Sequence, residues 1–240
     1  SIEQISVAPG NIGVNDNTVF FTPWTLQGRM VRANPSGGFV QGTDSSDLLL
    51  DGPANDQIIG GAGDDLYVSF TGHDLVDFGA GLDVAMYFSP RSNFQISGSE
   101  RTFFIKDVQG LEGDDTFFNI ERLSFADKNV ALDMDGSAGW VVRVIGVVWG
   151  PARLTDATLV GKGLRLMDNG MPRPALVQAA MDLAFGPIRD TTTLVKALYR
   201  NLYDADPIPE VLGAYLTGVQ SGVLTQLDIG VIAAESAQNA

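Results

Sequence analysis

From residue 42 onward the apolar positions recur every nine residues, a period that fits neither an α-helix nor a simple strand. Blocks aligned from Gly42 read GTDSSDLLL, DGPANDQII, GGAGDDLYV, SFTGHDLVD and FGAGLDVAM. The eighth position is apolar in every block: Leu49, Ile58, Tyr67, Val76 and Ala85. The sixth is aspartate in every block: Asp47, Asp56, Asp65, Asp74 and Asp83. A strict period of this length marks a repeat architecture. Each block predicts a tight turn and then a three-residue strand whose middle side chain points inward. Successive strands fall on alternate sides, giving a flattened parallel β-roll that completes one coil per 18 residues. Asp47, Asp65 and Asp83 then share one edge, and Asp56 and Asp74 share the other.

Outward positions seven and nine differ between the two sides. Leu48, Leu50, Leu66, Val68, Val84 and Met86 form an apolar row, whereas Gln57, Ile59, Leu75 and Asp77 are mixed. The apolar row is too large to leave wet, so it predicts a covered face.

The flanks predict different elements. In residues 1–41 the runs NTVFFTPW and GRMVRA, broken by APGN and NPSGG, predict strands that cap the first turn and protect its edge. Residues 87–136 continue as β through NFQISG, RTFFIKDV and LEGDDTFFNIERLSFADKNVALD. From residue 137 to 240 the spacing becomes helical, with helices at 139–149, 156–168, 173–185, 191–203, 207–219 and 226–237. Thr225 with Asp228 makes a capping-box pattern, and Asp206 before Pro207 reads as a helix start. Gly161, Leu164 and Gly170 recur as Gly213, Leu216 and Gly222, an internal repeat at an offset of 52. Trp140 and Trp149 read as core residues. The fold class is therefore a two-domain β + α chain, with an N-terminal parallel β-roll at 42–86, β caps on both sides and a C-terminal all-α domain.

Composition narrows the chemistry. The net charge is −14, which disfavours nucleic acid and anionic membrane surfaces and favours cations. Residues 42–86 hold nine aspartates and no lysine, arginine or glutamate. There is no cysteine and the single histidine is His73, so thiolate and two-histidine metal sites are excluded. His73 occupies a turn position expected to face solvent. No stretch reaches 18 apolar residues, and the opening SIEQISVAPG shows no cleavable secretory peptide. Stacked carboxylates about 4 Å apart repel by roughly 4 kcal/mol at an effective dielectric near 20, so the coil calls for a cation. Calcium (Ca2+) suits such a gap, because it takes six to eight oxygen ligands in flexible geometry. The opposing readings are a solenoid that stacks without metal and a phosphate-binding loop at GGAGDD. The second lacks a following lysine.

The block GGAGDDLYV resembles the RTX (hemolysin-type) nonapeptide repeat G-G-x-G-x-D-x-U-x at every position. The resemblance covers residues 42–86. Thr43, Ser45, Ala54, Ser69 and Phe70 depart from it. It implies calcium between alternate turns, held by aspartates and turn carbonyls, at Asp47/Asp65, Asp65/Asp83 and Asp56/Asp74. Gly60, Gly61, Gly63, Gly79 and Gly81 would shape those turns. Both turns of the Asp65/Asp83 pair keep glycine at positions two and four, while Ala54 and Phe70 disturb the turns of Asp56/Asp74.

The run from Leu111 to Asp127 is similar to the segment that closes RTX rolls, G-x-D-x-L-x-N-I-E-R-L-x-F-x-D. Phe117 replaces its leucine, and Asn119, Ile120, Glu121, Arg122, Leu123, Phe125 and Asp127 are in place. Asp114, Asp115, Glu121 and Asp127 are candidates for a further calcium site. The alternative is that Glu121 and Arg122 only fix the cap. ALYRNLYDADPIPEVLGAYLTGVQSG resembles an uncharacterised helical domain found behind RTX repeats in secreted bacterial proteins, which implies context rather than chemistry.

No HExxH, GxSxG, Walker or dinucleotide motif is present, so no enzyme activity is expected. The resemblance implies a secreted calcium-binding protein with a structural, surface or adhesive role, outside the cell or on its surface. It would pass through a type I secretion system, with an uncleaved signal in the last helix and the tail ESAQNA, and fold on calcium. Self-association or a second surface protein are further partner candidates. The competing readings are the C-terminal secretion and folding module of a larger extracellular hydrolase and a surface-layer or filament subunit.

Overall fold

The computed structural model describes residues 7–8, 11–14, 26–99 and 101–237. The chain divides into two compact units, Ser1–Ala138 and Gly139–Ala240.

In the first unit, β1 (Val7–Ala8) and β2 (Asn11–Val14) form a hairpin. β3 (Met30–Arg32), β4 (Gly38–Gln41), β5 (Leu48–Leu50), β6 (Asp56–Ala62), β7 (Leu66–Val68), β8 (Leu75–Ala80) and β9 (Val84–Met86) wind as a parallel β-solenoid of about three turns. Odd-numbered strands of this series lie in one sheet and even-numbered strands in the other. The nine-residue register holds throughout: Leu49 is opposite Tyr67, Tyr67 opposite Ala85, and Ile58 opposite Val76.

After β9 the chain leaves the coil. β10 (Phe94–Ser99) and β11 (Thr102–Asp107) form an antiparallel hairpin. The chain then returns through β12 (Asp114–Phe118) and β13 (Arg122–Ser124), which stack parallel on β8 and β9. β14 (Asn129–Ala131) pairs antiparallel with β13.

The core is the file of eighth-position side chains, from Val40 through Leu49, Ile58, Tyr67, Val76 and Ala85 to Phe117 and Leu123. All are buried, and each large aliphatic member contributes about 1.5–3 kcal/mol by leaving water. Tyr67, Phe78 and Phe117 meet edge to face, with centroids 5.5–6.1 Å apart. None of the apolar row Leu48, Leu50, Leu66, Val68, Val84 and Met86 is exposed, whereas Gln57 and Leu75 on the other sheet are. The expected covered face is therefore present.

The N-terminal expectation needs correction. NTVFFTPW lies outside the described residues. β3 and β4 are a coil of the roll itself, with Val31 and Val40 at the eighth position but Arg29 and Gly38 at the sixth. β2 pairs with β14, at the far end of its sheet from β3, so it covers the closing strand and not the first turn.

The described residues of the C-terminal part form six helices: α1 (Ser137–Trp149), α2 (Ala157–Asp168), α3 (Arg173–Phe185), α4 (Thr191–Tyr203), α5 (Pro209–Gln220) and α6 (Gln226–Ser236). Asp156 and Asp190 cap α2 and α4, and Thr225 with Asp228 closes a capping box on α6. Asp206 does not start a helix. It pairs with Arg200, and α5 begins at Pro209 after Ile208. The sequence repeat maps helix onto helix: α2–α3 and α5–α6 each flank a left-handed glycine, Gly170 at φ 80° and Gly222 at φ 74°. Trp140 is buried, with Arg143 and Arg173 lying 5.4 and 5.3 Å from its ring, while Trp149 is half-buried.

Candidate metal centre

Each sixth-position aspartate follows a tight turn, and the turns before Asp65 and Asp83 are glycine-rich and closely stacked. Gly61 and Gly79 take φ of 120° and 89° and lie so near the carbonyls of Thr43 and Gly61 that no Cβ fits. Gly63 and Gly81 stack in the same way, Gly81 against the Gly63 carbonyl. Gly60 leaves room for Asp65, since a Cβ there would run into Asp65 Oδ2.

The aspartates form two ladders. On the first edge Asp47 Oδ1 accepts the N–H of Arg29, Asp65 Oδ1 that of Asp47 at 2.8 Å, and Asp83 Oδ1 that of Asp65 at 2.7 Å. Glu121 Oε2 ends the ladder on the N–H of Asp83 at 2.9 Å. On the second edge Asp74 Oδ1 accepts the N–H of Asp56 at 2.7 Å, and Asp115 Oδ1 that of Asp74 at 3.3 Å. A shallower ladder runs alongside, in which fifth-position side chains hold the next turn: Ser46 to Asp64, Asp64 to Leu82, and Asn55 to His73. His73 itself is exposed.

The ladder satisfies one oxygen of Asp65 and of Asp83 and leaves the other, whereas Asp47 Oδ2 also accepts from Thr43 and Asp74 Oδ2 from Tyr67. Asp65 Oδ2, Asp83 Oδ2 and both oxygens of Asp56 are buried without a hydrogen-bond partner. An isolated buried carboxylate is costly, which is why proteins pair such groups or place them on metals. Burial pushes Asp83 up to about 9, with Glu121 and Asp65 adding repulsion, and Asp65 up to about 7, with Asp47 and Asp64 adding theirs. Burial likewise raises Asp51 to about 8, Asp74 to about 6 and Asp115 to about 7. Glu121 rises to about 7 by burial, reinforced by Asp133 and Asp135.

Residues 42–86 supply no cationic side chain to these oxygens. The donor set of carboxylates and turn carbonyls is all hard oxygen, the set that calcium takes. Asp47, Asp56, Asp65, Asp74 and Asp83 are thus the residues that fit a calcium ion. A polar cleft of about 430 Å³, lined by Gly79–Leu82, Arg101, Glu121, Asp133 and Asp135, opens at the Glu121 end of the first ladder.

The four later acids do not share one place. Asp115 continues the second edge and Glu121 the first. Asp114 accepts the N–H of Asp107 at 3.1 Å, and Asp127 that of Arg91 at 2.7 Å. Arg122 pairs with Asp133, which also accepts the N–H of Ala138. Sequence reasoning passed over Asp51. Its carboxylate gathers with Asp56 and Asp74, one oxygen from each lying within 4.8 Å of the others. The available signal was an acid at the first position of a block, where Gly42 and Gly60 stand on the facing edge.

No protein-family model and no curated protein matches this chain. Among solved structures it is similar to the extracellular lipase LipA from Serratia marcescens, at 21% identity and a TM-score of 0.35. That likeness covers 40% of this chain and 16% of the lipase, so the chain spans a small part of the lipase's length. Among the described residues no helix is long and apolar enough to cross a membrane.

Proposed function

We propose that this chain is a calcium-binding protein of the RTX type, secreted from a bacterium and folded by calcium outside the cell. The carrying observation is the set of buried carboxylate oxygens with no partner, on Asp65 and Asp83 at one edge of the roll and on Asp56 at the other. Asp47, Asp65 and Asp83 would hold ions on one edge, and Asp56 and Asp74 on the other. An ion there neutralises like charges that the folded coil brings together, so its binding free energy becomes folding free energy. In a calcium-poor cytosol the coil would stay open and able to thread a type I secretion channel. Millimolar calcium outside matches the affinities of extracellular calcium modules, roughly 10⁻⁴–10⁻³ M.

The role is structural, surface-associated or adhesive, and no catalysis is assigned. The apolar row that favoured a filament subunit is buried or half-buried within a single chain, so it no longer argues for assembly. Far-ultraviolet circular dichroism tests the reading. Chelation removes the β signal, and calcium, but not magnesium, restores it. A spectrum indifferent to chelator would end the proposal.

A further inference from the structure

Asp51 occupies a position that Gly42 and Gly60 hold on the facing edge. There the sixth-position carboxylate takes up the space, and a Cβ on Gly42 would meet Asp47 Oδ2 at 2.6 Å. On the second edge Gly52 stands in that contact, 3.4 Å from Asp56 Oδ2 as measured from an added Cβ, and frees the preceding residue to carry a side chain. Asp51 uses that freedom to reach the next turn. Its Oδ1 accepts the N–H of Gly52, and its Oδ2 accepts the N–H of Phe70 at 3.0 Å. The Tyr67 hydroxyl lies between Asp51 Oδ2 and Asp74 Oδ2, at 3.2 and 3.1 Å. These contacts aim two carboxylates at the gap that Asp56 faces. Asp51, Asp56 and Asp74 are 0%, 4% and 2% exposed.

The independent sign of a ligand is Asp56. Both of its oxygens are buried and neither has a partner, although Asp51 and Asp74 lie within reach of one cation. Each consecutive aspartate pair on the first edge brings two carboxylates, so this gap brings one more negative charge. Calcium sites are tuned by the number of charged ligands and by rigidity, and here the hydrogen bonds from Phe70 and Tyr67 fix two of the three.

We propose that Asp51, Asp56 and Asp74 form a three-carboxylate site for a divalent cation, and that it is the tightest calcium site of the roll. This rests on the calcium-binding reading above and adds a ligand and an order of filling. Calorimetric titration of the full chain with calcium chloride, comparing the unaltered protein with D51N and D65N, tests it. Asparagine keeps an acceptor for the Phe70 N–H and removes the charge. D51N weakens the tightest class of sites by at least about tenfold, the scale lost when even an outer-shell partner is removed, and spares the others. D65N leaves the tightest class intact.

A tight class indifferent to D51N, or abolished by D65N alone, overturns the assignment while leaving calcium binding in place. No calcium uptake by the unaltered protein defeats both. If D51N fails to fold in saturating calcium, terbium luminescence decides. The first equivalent of Tb3+ is sensitised through Tyr67, so its emission falls sharply in Y67F. Emission unchanged in Y67F overturns the proposal.

Discussion

The backbone N–H of Asp65 donates to the carboxylate of Asp83, one coil further along the chain, at 2.7 Å. The bond fixes where the Asp83 carboxylate stands, and its second oxygen, like that of Asp65, is buried with no hydrogen-bond partner. The same relation repeats along the edge until Glu121 supplies the last carboxylate. An interior built this way is complete as a set of backbone hydrogen bonds and incomplete as a set of charges.

Glu121 separates those two roles. Glu121→Ala leaves the Asp83 N–H buried without an acceptor and costs about 1–3 kcal/mol. Glu121→Gln keeps an acceptor oxygen and removes only the charge, so it retains most of the stability in saturating calcium. Urea unfolding of the two variants checks this, and equal losses would contradict it.

The metal-free roll is expected to prefer acid. In an unfolded chain these carboxyls ionise near pH 4, whereas folded Asp74, Asp65, Asp51 and Asp83 titrate near 6, 7, 8 and 9. The native state therefore holds protons that the unfolded chain releases, and stability falls as pH rises. The contribution is fully present below about pH 4 and is lost as pH climbs through about 6 to 9. In chelator the far-ultraviolet β signal is stronger at pH 5 than at pH 8, and the reverse order would count against the buried ladder. Calcium affinity runs the other way, rising across the same window with release of protons.

Two glycines give opposite outcomes for one substitution. Gly60→Ala forces a Cβ into the place of Asp65 Oδ2 and to 2.7 Å from the Phe78 carbonyl, which costs about 1–3 kcal/mol and weakens calcium binding. Gly213→Ala, inside α5 with nothing within 4 Å of the new atom, stabilises the helical unit by about 0.5–1 kcal/mol. Thermal melts in saturating calcium read both signs.

The coil was legible where its contacts are local. A turn that stacks on the turn two blocks earlier repeats its residue types at a fixed spacing, so Asp47 to Asp83 and their inward partners stood out. The closing segment was legible in Asn119 to Asp127, but the register of the chain's return was not, because the hairpin β10–β11 breaks the period. Asp115 meets Asp74 across 41 residues and Glu121 meets Asp83 across 38, and no local pattern carries that register. Phe117 opposite Val76 marks the re-entry at that edge, and a pair of phenylalanines after GDDT does not announce a coil. The first coil was missed for a related reason. Val31 and Val40 keep the inward position, but Arg29 and Gly38 stand where aspartate would have flagged it. Helix bounds in the second unit were legible to within about two residues, since the 3.6-residue period and the Asp156, Asp190 and Thr225 caps are local signals.

A crystal structure from millimolar calcium tests the central claim most directly. Ion density is expected at Asp47/Asp65, Asp65/Asp83 and Asp51/Asp56/Asp74, with carboxylate and carbonyl oxygens about 2.3–2.6 Å from each ion. Ordered, folded coils with those gaps empty would contradict it.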